Sequence, residues 1–121
     1  MTEILYYIIE ESQDSILIQL DQNHEIFRAH FPGNPILPGA CVMAIAKELL
    51  CYKQHKSYNI KHVKIVKFLQ TIDPRANDTL RFIFEKLDTN SNTMEARIAI
   101  TSNDNKILFS KITMTCCDAR L

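Results

Sequence analysis

Only two glycines occur in this chain, Gly33 and Gly39, where average usage would supply roughly eight, and both fall in the stretch His30-Phe31-Pro32-Gly33-Asn34-Pro35-Ile36-Leu37-Pro38-Gly39. Three of the four prolines share those ten residues. Proline fixes φ, and glycine either opens positive φ or lets another group approach the backbone closely. This spacing predicts a loop held in one conformation by Pro32, Pro35 and Pro38. The segment after the loop is unlike it: Ala40 to Leu50 is apolar on all sides except Lys47 and Glu48 and consists of good helix formers. Proline just before it suits a helix start. We expect one helix there, nearly encircled by protein.

The rest of the chain reads as strands. Ile4 to Glu10 is rich in Ile and Tyr, and Ser15 to Asp21 has a strand period with Ile16, Ile18 and Leu20 on one face. The two form a β-pair turning near Ser12 to Asp14. Tyr58 to Ile72 is extended, and a break comes at Asp73-Pro74-Arg75-Ala76-Asn77-Asp78. Thr79 to Leu87, Thr93 to Thr101 and Ile107 to Cys116 complete the set, separated by the turn clusters Asp88 to Asn92 and Ser102 to Asn105. Met94, Ala96, Ile98 and Ile100 share one face, with Glu95 and Arg97 on the other. Two strands, a helix and four long strands joined by tight turns describe an α+β fold: an antiparallel sheet wrapped around one buried helix. The open edges of such a sheet lead us to expect a dimer.

At 121 residues, 46% of them hydrophobic, residues 1–121 make a single domain, too short for separate cofactor and substrate domains. Fourteen basic residues balance fourteen acidic ones, so no net positive field recommends nucleic acid or an anionic membrane as partner. The start lacks a secretory signal, and the longest apolar run, Ala40 to Ala46, is far below a membrane span, so we expect a cytoplasmic protein. Cys41, Cys51, Cys116 and Cys117 have neither CxxC spacing nor a disulfide-framework pattern, which is consistent with reduced thiols. Cys51, His55 and His62 lack a fourth ligand at a recognised zinc spacing, so we expect no metal.

Chemistry concentrates at the rigid loop. His30 opens it, and Gly39 falls at the helix N-terminus, where free N–H groups and the positive helix end can receive a carbonyl oxygen gaining negative charge. A base and an oxyanion donor held on one stiff segment suit removal of a proton from the carbon beside a thioester. His30 to Gly39 and the adjoining helix resemble the 3-hydroxyacyl-acyl carrier protein dehydratases, and the strand order resembles their hot-dog fold along essentially the whole chain. The resemblance implies a dimer with an acyl tunnel at its interface and two sites, each combining residues of both subunits. It implies His30 as the catalytic histidine and Gly39 as the glycine whose amide polarises the thioester carbonyl. It implies no metal or redox cofactor, the substrate being a 3-hydroxyacyl chain carried on the phosphopantetheine of acyl carrier protein or coenzyme A. Phe31, Pro38, Ala40, Met43, Ala44 and Phe68 are the substrate-binding candidates.

The chain departs from that family at one position. The family carries Glu or Asp on the helix fourteen residues after the histidine, and here that residue is Ala44. Glu48, one turn further along the same face, is the nearest replacement and a third catalytic candidate. Three readings are open: His30 acts alone, a different hot-dog subunit supplies the carboxylate to a heterodimer, or the chain is a noncatalytic acyl-binding partner. A hot-dog thioesterase is a fourth, though those enzymes more often direct water with a carboxylate. Charge is also unevenly placed. Met1 to Phe27 holds six carboxylates and no Lys or Arg, whereas Lys47 to Lys67 holds six lysines against Glu48 alone. Within that basic stretch, Lys53 and Lys56 are the candidates for docking an acidic acyl carrier protein.

Overall fold

In the computed structural model, residues 4–29 and 33–119 are described, and they form six strands and two helices in the order β1 (Tyr6–Glu11), β2 (Ser15–Leu20), α1 (Ile26–Ala29), α2 (Gly39–Gln54), β3 (Tyr58–Phe68), β4 (Thr79–Asn90), β5 (Thr93–Ser102) and β6 (Leu108–Asp118). All six strands join one antiparallel sheet in the order β1-β2-β4-β5-β6-β3. Alternation decides which way each strand faces. Met94, Ala96, Ile98 and Ile100 are buried together on β5, while Ile112, Met114 and Cys116 are buried on β6. These inward residues pack with Val42, Ile45, Ala46, Leu49 and Leu50 of α2 into one core. Register shifts interrupt β1, β3 and β4, at Ile8/Glu10, Ile60/His62, Val63/Ile65 and Phe84/Lys86. Such irregularities bend strands, which a sheet must do to curve around a helix.

Four details depart from the sequence reading. β3 pairs with β6 and is a sheet edge, so the segment after Phe68 is a crossover and not a tight turn to β4. A side-chain pattern reports which face is buried but is silent about which strand lies alongside. The helix is longer than Ala40 to Leu50, running to Gln54, where His55 takes a left-handed conformation (φ 53°) and closes the end through bonds to the Cys51 and Tyr52 carbonyls. It is also not encircled: Ala40, Ala44, Glu48 and Tyr52, spaced one turn apart, form an exposed stripe. Alanine reads as apolar in a pattern yet loses little by facing water. The short α1 has no counterpart in the sequence reading, four residues being too few for a periodic signal.

β4 and β5 meet in a two-residue turn at Ser91 and Asn92, with Ser91 at φ 47°, narrower than the turn expected over Asp88 to Asn92. Among the described residues no helix is long and apolar enough to cross a membrane. Leu49 lies at the centre of the helix-sheet contact and is fully buried. Leu49→Ala should therefore lower the unfolding free energy by about 3 kcal/mol in urea melts, whereas Ala44→Ser on the exposed stripe should change it by less than about 0.5 kcal/mol.

Candidate active site

The two glycines answer different needs. Gly33 has φ 81°, a left-handed conformation that side chains disfavour. Gly39 owes its place to proximity instead: a Cβ there would lie 2.8 Å from Cζ and 3.0 Å from Cε2 of Phe68. The aromatic ring at the end of edge strand β3 thus rests on the backbone of the first turn of α2. Pro38 precedes that turn in extended conformation (φ −62°, ψ 148°) and offers no side-chain cap. Its carbonyl accepts bonds from Cys41 (2.9 Å) and Val42 (3.1 Å). The N–H groups of Gly39 and Ala40 are left without an acceptor among the described residues.

Of these two residues Gly39 lines a cavity of about 370 Å³, together with Leu37, Val42, Phe68 and Ile72, and with Ser110 from β6. Residues 69–71 complete its wall. Three backbone bonds hold that wall: Leu69 and Gln70 donate to the Phe109 carbonyl (2.8 and 3.2 Å), and Leu37 donates to the Ile72 carbonyl (2.8 Å). A largely apolar pocket that reaches Gly39 at the positive end of a sixteen-residue helix is suited to an acyl thioester, chain in the pocket and carbonyl on the Gly39 amide.

Of the residues proposed from sequence, His30 and Phe31 lie outside the described residues. Gly39 and Phe68 line the cavity, Pro38 caps the helix beside it, and Ala40 is exposed on the next residue. Met43 packs partly buried against the core, and Ala44 sits on the exposed stripe. Glu48 is not brought to the cavity: it accepts a 2.7 Å hydrogen bond from the Tyr6 hydroxyl and fastens α2 to β1. Burial, with that bond and the carboxylate's charge, pushes the Tyr6 phenol above its ordinary range. Tyr52 makes an equivalent tie to Glu11. Both pins join the acidic first strand to the helix.

Lys53 donates to the Gln13 carbonyl and lies 5.6 Å from the Phe84 ring; Lys56 pairs with Asp118 at 3.2 Å and lies over Tyr58. Each amine already has an intramolecular role, and Lys53 is about 20 Å along the helix from Gly39 at 1.5 Å per residue. Burial raises the Cys41 thiol above its ordinary value, opposite to what an activated nucleophile requires. All four cysteines are free thiols, and the described residues contain no cluster able to hold a metal ion. Sequence reasoning missed Leu37, Val42, Ile72, Ser110 and residues 69–71 as cavity residues. Only the crossover of β3 to β6 brings Phe68 and Ser110 side by side.

This sheet and helix define the class: the chain has the hot-dog fold, shared with the dehydratase heterocomplex ApeI:P of Xenorhabdus doucetiae at a TM-score of 0.64 and 22% identity over 97% of this chain and 99% of that one. The thioesterase HI1161 of Haemophilus influenzae shares it too, at a TM-score of 0.60 and 18% identity, covering 93% of this chain and 76% of that one. Residues 8–111 match the ApeI-like family, described as ApeI dehydratase, and the chain belongs to that family. It is similar as well to the 3-hydroxyacyl-[acyl-carrier-protein] dehydratase FabZ of Lactococcus lactis, 33% identical over 88 residues that cover 65% of this chain and 57% of that one. The chain spans a little over half the length of the curated relatives it matches.

The Gly39–Phe68 contact makes a signed prediction. Gly39→Ala gains helix propensity of about 1 kcal/mol but pushes its methyl into the Phe68 ring, so alone it should cost about 1 kcal/mol. In a Phe68→Ala background the same change should be neutral or stabilising. A double-mutant cycle in denaturant measures this, and simple additivity would contradict the contact.

Proposed function

We propose that this chain is the histidine-bearing subunit of a 3-hydroxyacyl thioester dehydratase, forming a trans-2-enoyl thioester in fatty acid or polyketide-like biosynthesis. The observation that carries the reading is the first helical residue, Gly39, whose N–H has no acceptor among the described residues, lining a largely apolar cavity. Membership of a dehydratase family supports the choice of reaction. In this mechanism the thioester oxygen accepts a hydrogen bond from Gly39, which stabilises negative charge as His30 removes a proton from C2. The electron pair forms the C2–C3 double bond, the C3–O bond breaks, and the hydroxyl leaves as water after receiving a proton. Proton transfer and carbonyl polarisation suffice for this, so the reading calls for no metal or redox cofactor, and the acyl chain arrives on phosphopantetheine.

The proton donor for the leaving oxygen is the part this chain lacks. In a site shared between two hot-dog subunits, a second copy would again bring Ala44, whereas an unlike subunit with a carboxylate at that helix position completes the pair. The edge strand favours the unlike partner. β3 exposes Ile65, Val66 and Phe68 beside Lys61, Lys64 and Lys67, and carries no acidic residue. Among the described residues only Lys64 of these three forms an ion pair, with Glu95 at 2.7 Å. Lysine on an open edge discourages pairing with a like strand and suits an acidic one. The dehydratase heterocomplex with the same fold is consistent with such a pair.

A second candidate for carrier docking, besides Lys53 and Lys56, is the outer face of the sheet. Lys64, Lys67, Arg97 and Lys111 border a cleft there together with Glu95, which pairs with Lys64, and Lys67 has no ion pair among the described residues. The reading places the reaction in the cytoplasm, where the four free thiols remain reduced. The test is turnover of a 3-hydroxyacyl thioester by wild type and by His30→Ala, each alone and mixed with a hot-dog subunit that carries a carboxylate at the helix position of Ala44 but whose own loop histidine is replaced. Mixing with wild type should raise turnover by about 10²–10⁴-fold. His30→Ala should abolish the gain, and a wild-type mixture that stays at background would overturn the proposed roles.

A further inference from the structure

Ser110 stands out among the residues of the cavity wall. It is 1% exposed, on the inward face of β6, where the next inward residues are Ile112, Met114 and Cys116. Its register partner on β3 is Phe68, whose ring covers Gly39. The hydroxyl has no hydrogen-bond partner among the described residues. Yet no side-chain oxygen wholly closed off from its surroundings is left unpaired among the described residues, so what little of Ser110 is accessible includes the hydroxyl, and the space it reaches is the cavity it lines. A hydroxyl in such a wall is destabilising unless something bonds to it. Alanine or cysteine would fill the position without that cost.

We infer that the Ser110 hydroxyl is a substrate-binding group that hydrogen-bonds the 3-hydroxyl of the acyl chain. This rests on the acyl-thioester reading of the cavity and extends it to the leaving oxygen. With the thioester carbonyl on the Gly39 N–H, the chain enters a pocket whose walls are aliphatic or aromatic at Leu37, Val42, Phe68 and Ile72. Ser110 is the one polar side chain buried in that wall; Gln70 and Thr71 lie at its exposed rim. C3 is two atoms from the carbonyl carbon, so the carbonyl's anchor and the 3-hydroxyl's partner belong on neighbouring walls of one small cavity. Gly39, Phe68 and Ser110 meet that requirement because one ring touches the first and its strand pairs with the third. A saturated acyl chain leaves the hydroxyl unpaired, so the same group discriminates the hydroxylated substrate from its deoxy counterpart.

Calorimetry with two stable amide analogues of an acyl-pantetheine, one bearing a 3-hydroxyl and the other lacking it, tests this on wild type, Ser110→Ala and Ser110→Thr. Ser110→Ala should weaken the hydroxylated analogue about tenfold and leave the deoxy analogue within about twofold. Ser110→Thr, which keeps the hydroxyl, should recover most of the loss. Urea melts guard against misfolding: removing an unpartnered hydroxyl should not lower stability. Equal weakening of both analogues, or of neither, would overturn the role of Ser110 while leaving the acyl site standing. If wild type binds neither analogue, the acyl-site reading fails and the inference goes with it.

Discussion

The contact between the first turn of α2 and the ring of Phe68 is the constraint on which the site depends. It joins the helix that fills the sheet to the end of the edge strand that closes it, and glycine is the residue that leaves room for the ring. The same contact places Gly39, whose N–H has no acceptor among the described residues, in the wall of a largely apolar cavity. A β-carbon at that point would push the ring away and alter the pocket's entrance. Packing and chemistry therefore make the same demand of one residue.

The helix is organised along its length by what each turn must do. Its beginning is kept small and uncapped, with Gly39, Ala40 and Ala44 near the cavity end. Its middle turns bury Ile45, Ala46, Leu49 and Leu50 in the sheet. Its exposed later turns bind β1 through Tyr6–Glu48 and Tyr52–Glu11, so the acidity of the first strand and the tyrosine and glutamate of the helix answer each other. Glu48 is occupied by anchoring, so the proposed dehydration calls for a proton donor from elsewhere. In that proposal a second subunit brings it along the open, lysine-bearing edge β3.

Much of this was legible in the sequence, for local reasons. Alternation on β5 exposed its inward face, because a strand's period of two sorts side chains by burial. Gly33 and Gly39 marked two places where the backbone needed freedom, positive φ at the first and close approach at the second, whereas the positive φ of His55, Ser91 and Asn105 carried no glycine to mark it. Lys53 and Lys56 were harder to read. Their charge is evident, but their commitment to Gln13, Phe84, Asp118 and Tyr58 depends on chain segments brought together by folding. Ala40 and Ala44 likewise look like core residues in a pattern and turn out to be exposed.

The sequence by itself determined the six strands, the long helix and its start, and the inward face of β5, since each comes from backbone preferences and short-range periodicity. Tertiary structure alone decided that β3 lies beside β6. That one choice creates the exposed edge, the pairing of Phe68 with Ser110 and the cavity between them. Strand neighbours are selected by the total fit of a curved sheet around its helix. That fit is a sum over distant residues, and no local stretch of the chain records it.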